Sequence, residues 1–252
     1  MQMQPLSKAK LKELAAYRHQ KVCEEQGLFV VEGEKMAAEV LKMGVPVHTL
    51  CATAEWPLIN SSFAPATRCW LVSEEQLARL SSLNQPNKVW MLIERTDVKS
   101  RTTKCQLQTT PVTVVLDRIQ DPGNLGTIIR VADWFGIRQV LCSSDTVSCF
   151  NPKVVRSTMG SLFRVDVEYC NLVDRLRTCG VPVYGAVLDG DDLRNVSVAT
   201  PAMLVIGNES QGISPELSSL LTHRVTIPNI GGSCESLNAA VATALLVSKF
   251  VL

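Results

Sequence analysis

From Pro111 to its C-terminus the chain alternates strand-like and helix-like runs without interruption, and this alternation constrains the fold more than any other feature. The order is "VTVVLD" strand, "NLGTIIRVADWFG" helix, "RQVLCS" strand, "NPKVVRSTMGSLF" helix, "RVDVEY" strand, "NLVDRLRTCG" helix and "VPVYGAVL" strand. It continues as "AMLVIG" strand, "SPELSSLL" helix, "RVTIP" strand and "SLNAAVATALLVSKFVL" helix. Asn151–Pro152 and Ser214–Pro215 have the order expected of an N-cap and a first helical residue, and Gly180 stands where a terminating glycine belongs. Strands that alternate with helices predict an α/β fold whose parallel sheet is covered on both faces.

The first part of the chain is organised differently. Residues 6–26 place apolar residues near helical spacing and predict one helix stopped by Gly27. "LFVVEG" follows as a strand, "EKMAAEVLKMG" as a helix closed by Gly44, and "PVHTLCAT" as a strand. "SEEQLARLSSL" is a helix with Ser73 as N-cap, and "VWMLIE" is a last strand. These runs predict a small α/β domain over 1–95. The polar stretch 96–110 has no apolar periodicity and is expected to link it to a second domain over 111–252.

Composition narrows the function classes. Of the 252 residues 46% are apolar and 19% charged, which is the balance of a globular chain rather than a disordered one. The start lacks the apolar core of a signal peptide, and no run reaches the roughly 18 apolar residues of a membrane span, so no membrane and a cytoplasmic setting are expected. The nine cysteines are scattered, with no C-x-x-C pair and no cysteine–histidine cluster, which fits a reducing compartment and gives no metal site. Net charge is +1, but residues 1–110 hold 14 Lys+Arg against 11 Asp+Glu, whereas 111–252 hold 11 against 13. A basic surface, if present, belongs to the first half. Lys8, Lys10, Lys12, Arg18 and Lys21 are candidates for contact with phosphates, or simply a solvated helix face.

In parallel sheets ligands bind beyond the carboxyl ends of strands. The loops after "VTVVLD", "AMLVIG" and "RVTIP" read "RIQDPGNLG", "NESQGIS" and "NIGGSCE", and each combines glycine with polar side chains. Neither a G-x-G-x-x-G turn after the first strand of either half nor a G-x-x-x-x-G-K-[ST] loop is present, which argues against NAD and ATP.

Taken together these loops resemble the three motifs of the TrmH/SpoU branch of the SPOUT RNA methyltransferases. "DPGNLGTIIRVAD" carries Asn124, Gly126 and Arg130 at the family's spacing. "LVIGNESQGIS" carries Gly207, Asn208 and Glu209, and "VTIPNIGGSCESLNAAVATALL" carries Ile227, Ser236, Leu237 and Asn238. The third motif departs from the pattern in "NIGG", in the cysteine before "ESLN", and in Ala239 and Ala240. The first half, through "LFVVEGEKMAAEVL", resembles the L30e-like RNA substrate-binding domain that precedes the catalytic domain in many members.

The resemblance implies a deep trefoil knot at the C-terminal end of the second domain, a homodimer, and S-adenosylmethionine as the methyl donor. Gly207, Asn208, Ile227 and Leu237 would bind that cofactor. Arg130, Asn124, Glu209, Ser236 and Asn238 would be catalytic, with no metal. The implied reaction is methyl transfer to a ribose 2′-hydroxyl of RNA, ribosomal RNA first and transfer RNA as the alternative. The family pattern assigns Arg130 to activation of the hydroxyl. A guanidinium with a pKa above about 12 is better suited to binding a phosphate and stabilising a developing alkoxide than to removing a proton. Two other classes stay open: a noncatalytic RNA-binding or ribosome-assembly factor, and a small-molecule α/β enzyme.

Overall fold

The computed structural model describes residues 3–59, 63–96, 98 and 110–252. The expected linker therefore lies almost wholly outside the described residues, as does Cys105. The chain divides into two compact units: Met1–Arg101 with Phe150–Phe163, and Thr102–Cys149 with Arg164–Leu252.

The first unit is built on β1 (Gln4–Pro5), β2 (Leu28–Glu32), β3 (Thr49–Ala52), β4 (Arg68–Leu71) and β5 (Val89–Glu94), in the order β1-β4-β3-β5-β2. β5 is antiparallel to β2 and β3, and the remaining pairs are parallel. The single helix expected over 6–26 is interrupted: α1 (Lys8–Ala15) is followed by a 3₁₀ turn at Ala16–Arg18 and, after the extended His19, by α2 (Gln20–Glu25). The reason lies in phase. At 100° per residue Cys23 would lie about 180° from Leu14 on a straight helix. The break lets Leu11, Leu14 and Cys23 enter the same core with Leu28 and Trp90. α3 (Glu34–Lys42) and α4 (Glu74–Leu80) form as expected, α4 behind a complete capping box of Ser73 and Gln76.

The run 151–163, read from sequence as part of the second domain, packs into this first unit. Its helix α6 (Pro152–Thr158) is capped by Asn151 and preceded by Phe150, whose ring lies 4.9 Å from that of Phe29. Phe163, beyond the helix, lies 6.4 Å from Phe29, and the Arg95 guanidinium sits 5.0 Å above the Phe150 ring. Burying both phenylalanines against β2 outweighs proximity along the chain.

The second unit holds β6 (Val112–Leu116), β7 (Gln139–Cys142), β8 (Asp166–Tyr169), β9 (Val183–Asp192), β10 (Ala202–Ile206) and β11 (His223–Thr226), all parallel, in the order β11-β9-β10-β6-β7-β8. Val115, Leu141, Val183 and Val205 on one face pack with Leu172 and Leu176 of α7 (Leu172–Arg177) and Leu217 of α8 (Pro215–Ser218). The other face is covered by α5 (Pro122–Trp134) and α9 (Ala239–Val251), which also pack on each other. This is the doubly covered parallel sheet that the alternation predicts. Among the described residues no helix is long and apolar enough to cross a membrane.

Candidate active site

β6 and β10 are neighbours in register, with Leu116 opposite Ile206, so the loops that follow them leave the sheet side by side. The first loop runs from Asp117, which is buried. Its carboxylate accepts from the Ser214 backbone N–H at 2.6 Å and from Arg118 Nε at 3.2 Å, which satisfies a charge inside the fold. Arg118 has φ = 57°, an uncommon backbone for a residue with a side chain. Its N–H donates to Ser143 Oγ (2.9 Å), its carbonyl accepts from Asn208 Nδ2 (2.9 Å), and its guanidinium reaches Gln211 Oε1 (2.7 Å) and the Gly212 carbonyl (3.3 Å). One residue thus ties the first loop to the second.

The second loop is a tight turn in which Asn208 and Gly212 exchange backbone hydrogen bonds. Asn208 Oδ1 accepts from the N–H groups of Ser210 and Gln211. Gly207 is obligatory for that turn. A Cβ on it would come within 2.2 Å of the Gly212 carbonyl carbon, and backbone cannot yield as a side-chain tip can.

α5 begins with Asp121 as N-cap, its Oδ1 accepting from the Asn124 N–H at 2.9 Å, and Pro122 in the first turn. Gly123 leaves room for this cap, since a Cβ there would lie 2.8 Å from Asp121 Oδ1. Asn124 is therefore not the cap itself, and its side chain is free to reach across. Its Nδ2 donates to Glu209 Oε1 at 2.5 Å, and its Oδ1 accepts from Asn238 Nδ2 at 2.8 Å. Asn238 in turn caps α9, its Oδ1 accepting from the N–H groups of Ala240 and Val241, which orients its amide. Asn124, Glu209 and Asn238, one from each motif, thus form a continuous hydrogen-bonded chain.

The third loop closes on itself. Asn229 Nδ2 donates to the carbonyls of Gly232 and Cys234, and its Oδ1 accepts from the Gly232 N–H at 2.7 Å, which gives the unusual "NIGGSC" a shape of its own. Beside it lies a cavity of about 480 Å³, within the usual range for small-molecule sites. Gly207, Asn208, Glu209, Ile227, Ser236 and Leu237 all line it. Asp189 and Glu235 add carboxylates, and neither lysine nor arginine is among the lining residues. Asp189 is paired with Arg224 at 2.7 Å, and that bond holds its carboxyl below the usual carboxylate range. A cavity with acidic groups and the apolar Ile206, Ile227 and Leu237 suits a cation with a flat apolar part, and does not suit an anion such as a nucleoside triphosphate.

Arg130 is placed apart from this cluster. It is exposed on α5 and has neither a hydrogen bond nor an ion pair among the described residues. Ser236 lines the cavity without a hydrogen bond there. Sequence reasoning missed Asp117, Arg118 and Asn229. The position of Asp117–Arg118 at the carboxyl end of a central strand was the available signal. Burial pushes the Cys23 thiol up to about 11 and the Cys51 thiol to about 12, so neither is a nucleophile. Among the described residues no cluster of His, Cys, Asp and Glu is arranged to hold a metal.

A parallel sheet whose neighbouring loops meet in one acidic cavity defines an α/β protein with a small-molecule site at the strand ends. The chain belongs to the SpoU rRNA Methylase family, whose model matches residues 111–248, and residues 8–90 match the MRM3-like substrate binding domain. It is 31% identical to the 23S rRNA (guanosine(2553)-2′-O)-methyltransferase RlmP of Bacillus subtilis, over 98% of this chain and 97% of that one. Among solved structures it resembles an AdoMet-bound rRNA methyltransferase from Sinorhizobium meliloti, with 29% identity, a TM-score of 0.85, and coverage of 98% of this chain and 96% of that one. A TrmH-family structure from Porphyromonas gingivalis matches at 37% identity with a TM-score of 0.82, covering 97% and 98%.

Proposed function

We propose that the protein is an S-adenosylmethionine-dependent methyltransferase that modifies a ribose 2′-hydroxyl of ribosomal RNA. The observation that carries this reading is the hydrogen-bonded chain Asn238–Asn124–Glu209 at the mouth of an acidic cavity. Ribosomal RNA is favoured over transfer RNA by the full-length likeness to RlmP.

Gly207, Asn208, Ile227 and Leu237 would hold the cofactor. Gly207 would permit close backbone approach, Ile227 and Leu237 would offer it apolar surface, and Glu209 and Glu235 would favour its positive charge. The cofactor supplies an electrophilic methyl group on a sulfonium. The protein has to bring the ribose oxygen into line with that methyl, and alignment of this kind accounts for a large share of such catalysis. Asn124 uses one amide proton and one lone pair within the chain, leaving one of each for the ribose. Arg130, with no partner among the described residues, would bind the neighbouring phosphate and stabilise the alkoxide that develops as the hydroxyl proton leaves to solvent. Ser236 adds a further hydroxyl at the cavity wall.

A homodimer is part of this reading. Val241 and Leu245, 49% and 45% exposed, fall on one stripe of α9, Leu252 just beyond the helix is 96% exposed, and Trp134 at the end of α5 is 86% exposed. Arg130 shares its helix face with Trp134, so pairing through this surface would bring Arg130 into the interface. The trefoil knot of the family also belongs to this reading, supported by the packing of α9 against α5, β6 and β10. So does a reducing cytoplasm, supported by eight free cysteines among the described residues.

The test is incubation with methyl-labelled S-adenosylmethionine and ribosomal RNA. The expected product is a 2′-O-methylated nucleotide, lost in Arg130→Ala while the circular dichroism spectrum is unchanged. Absence of product together with absence of S-adenosylhomocysteine binding would favour a noncatalytic factor.

A further inference from the structure

The first unit contains a second, separate pocket of about 260 Å³, which no part of the proposed reaction uses. It lies at one end of the five-stranded sheet, between the α1 segment and the starts of β3 and β4. Tyr17, Gln26, His48, Arg68 and Glu94 converge on it, over an apolar floor of Leu14, Leu28 and Leu92. At its wall Lys10 Nζ and Glu13 are paired at 2.6 Å.

Two observations mark it as a site. The Tyr17 hydroxyl, the Gln26 amide, the Arg68 guanidinium and the Glu94 carboxylate have neither hydrogen bond nor ion pair among the described residues, although they share one concavity. Gln26, Arg68 and Glu94 are exposed and Tyr17 is half-buried, so their polar groups face solvent within one concavity and are open to a ligand there. His48 Nδ1 is engaged with Thr49 Oγ1 at 3.0 Å, which directs its remaining ring nitrogen to other partners.

The chemistry then selects the ligand. Burial and the neighbouring Arg68 and Lys10 lower the His48 pKa, so the imidazole is neutral near pH 7, against an opposing pull from Glu94. With Glu13 and Glu94 matching Lys10 and Arg68 in number, the pocket has no surplus of positive charge for a phosphate. It offers both donors and acceptors around an aromatic ring, which is the complement of a nucleobase edge and face. Its volume, below the roughly 300–1,000 Å³ of pockets for larger ligands, fits one flat ring system.

We propose that this pocket receives a single unpaired nucleobase of the RNA substrate, with Tyr17 against its face and Arg68 and Glu94 on its edge, and so helps to select the RNA. This rests on the reading of the protein as an RNA methyltransferase.

The experiment follows the imidazole signals of the full-length protein by NMR, which is practical because the chain has three histidines. The four nucleoside 5′-monophosphates and inorganic phosphate are titrated separately. The expected result is a saturating shift of His48, with His19 and His223 unmoved, for at least one nucleotide and not for inorganic phosphate. Arg68→Ala and Glu94→Gln should each weaken that response, and each should raise KM for ribosomal RNA about 10-fold with kcat unchanged, the scale of losing a base-edge contact. S-adenosylhomocysteine binding, measured on the same samples, should be unaffected. A His48 signal indifferent to all four nucleotides, or moved equally by inorganic phosphate, overturns the proposal. If S-adenosylhomocysteine still binds in that case, the methyltransferase reading stands without it, whereas failure of the unaltered protein to bind S-adenosylhomocysteine removes the methyltransferase reading itself.

Discussion

The amide of Asn124 is held at both ends, by Glu209 Oε1 at 2.5 Å and by Asn238 Nδ2 at 2.8 Å, although these partners lie 85 and 114 residues away along the chain. Each bond fixes the sense of the next, so the orientation of Asn124 is set by the cap of α9.

Asn238 therefore has two separable duties. Asn238→Ala removes the cap and the donor, and should cost about 1 kcal/mol of stability and about 100-fold in turnover. Asn238→Asp keeps the capping oxygen but places a carboxylate against Asn124 Oδ1. Thermal denaturation should show stability recovered, while the methylation rate stays low.

Gly207→Ala and Gly185→Ala make a matched pair. Both introduce a Cβ into occupied space, but Gly207 meets the Gly212 backbone whereas Gly185 meets the side chains of Leu221 and Ile213. Calorimetry should find S-adenosylhomocysteine binding abolished in the first and retained in the second, whose penalty is an overpacking cost of about 1–3 kcal/mol seen in denaturant melts.

Arg118 combines a left-handed backbone with bonds to Gln211 and Gly212. Arg118→Gly relieves the backbone while removing the bonds, so its melting temperature should stay close to that of the unaltered protein as its cofactor affinity falls about 10-fold, roughly the worth of one charged hydrogen bond. Arg118→Lys keeps the charge but not the two-pronged reach. Equal affinity in all three proteins would show that the second loop holds its shape without this tie.

The exposed stripe of α9 gives a test of assembly. Leu245→Arg sets a charge in the middle of Val241 and Leu252 and should convert a dimer to a monomer in sedimentation, with the secondary structure intact.

His48 gives a pH signature to the first unit. Its folded pKa lies below the ordinary 6.5, so as pH falls through that value the unfolded chain takes up a proton that the folded chain resists. The His48 contribution to stability is full above 6.5 and is lost on acidification towards the folded pKa. The melting temperature should drop more steeply over that interval than in His48→Gln.

Much of the second unit was legible because its strands and helices follow local periodicity and its loops follow β6, β10 and β11 in order. The meeting of Asn124, Glu209 and Asn238, and a charge-assisted bond from Glu209 to Arg130 or Asn124, could be anticipated from the motifs, but not the bond by which the cap of α9 orients Asn124. Arg118 was missed because a positive φ at an arginine is imposed by tertiary contacts that no local preference reveals. The strand Arg68–Leu71 was missed because only Cys69 in it is fully buried, whereas Thr49–Ala52, of equal length, is buried throughout, and the break near Tyr17 because apolar spacing looks helical until Cys23 has to share a core with Leu14. The placement of 151–163 depended on Phe29, more than a hundred residues earlier.

The slot that β10 fills between β9 and β6 bears on how the protein comes into being. During synthesis β6, β7 and β8 emerge first and can pair, but β9 has no neighbour in that group and waits for a strand about 20 residues later to join it. The same segment that closes the sheet also delivers the Gly207–Gly212 turn. A nascent chain cut short before it lacks both the strand that joins β9 to β6 and the turn that lines one side of the cavity, and the third loop and α9 complete that cavity afterwards.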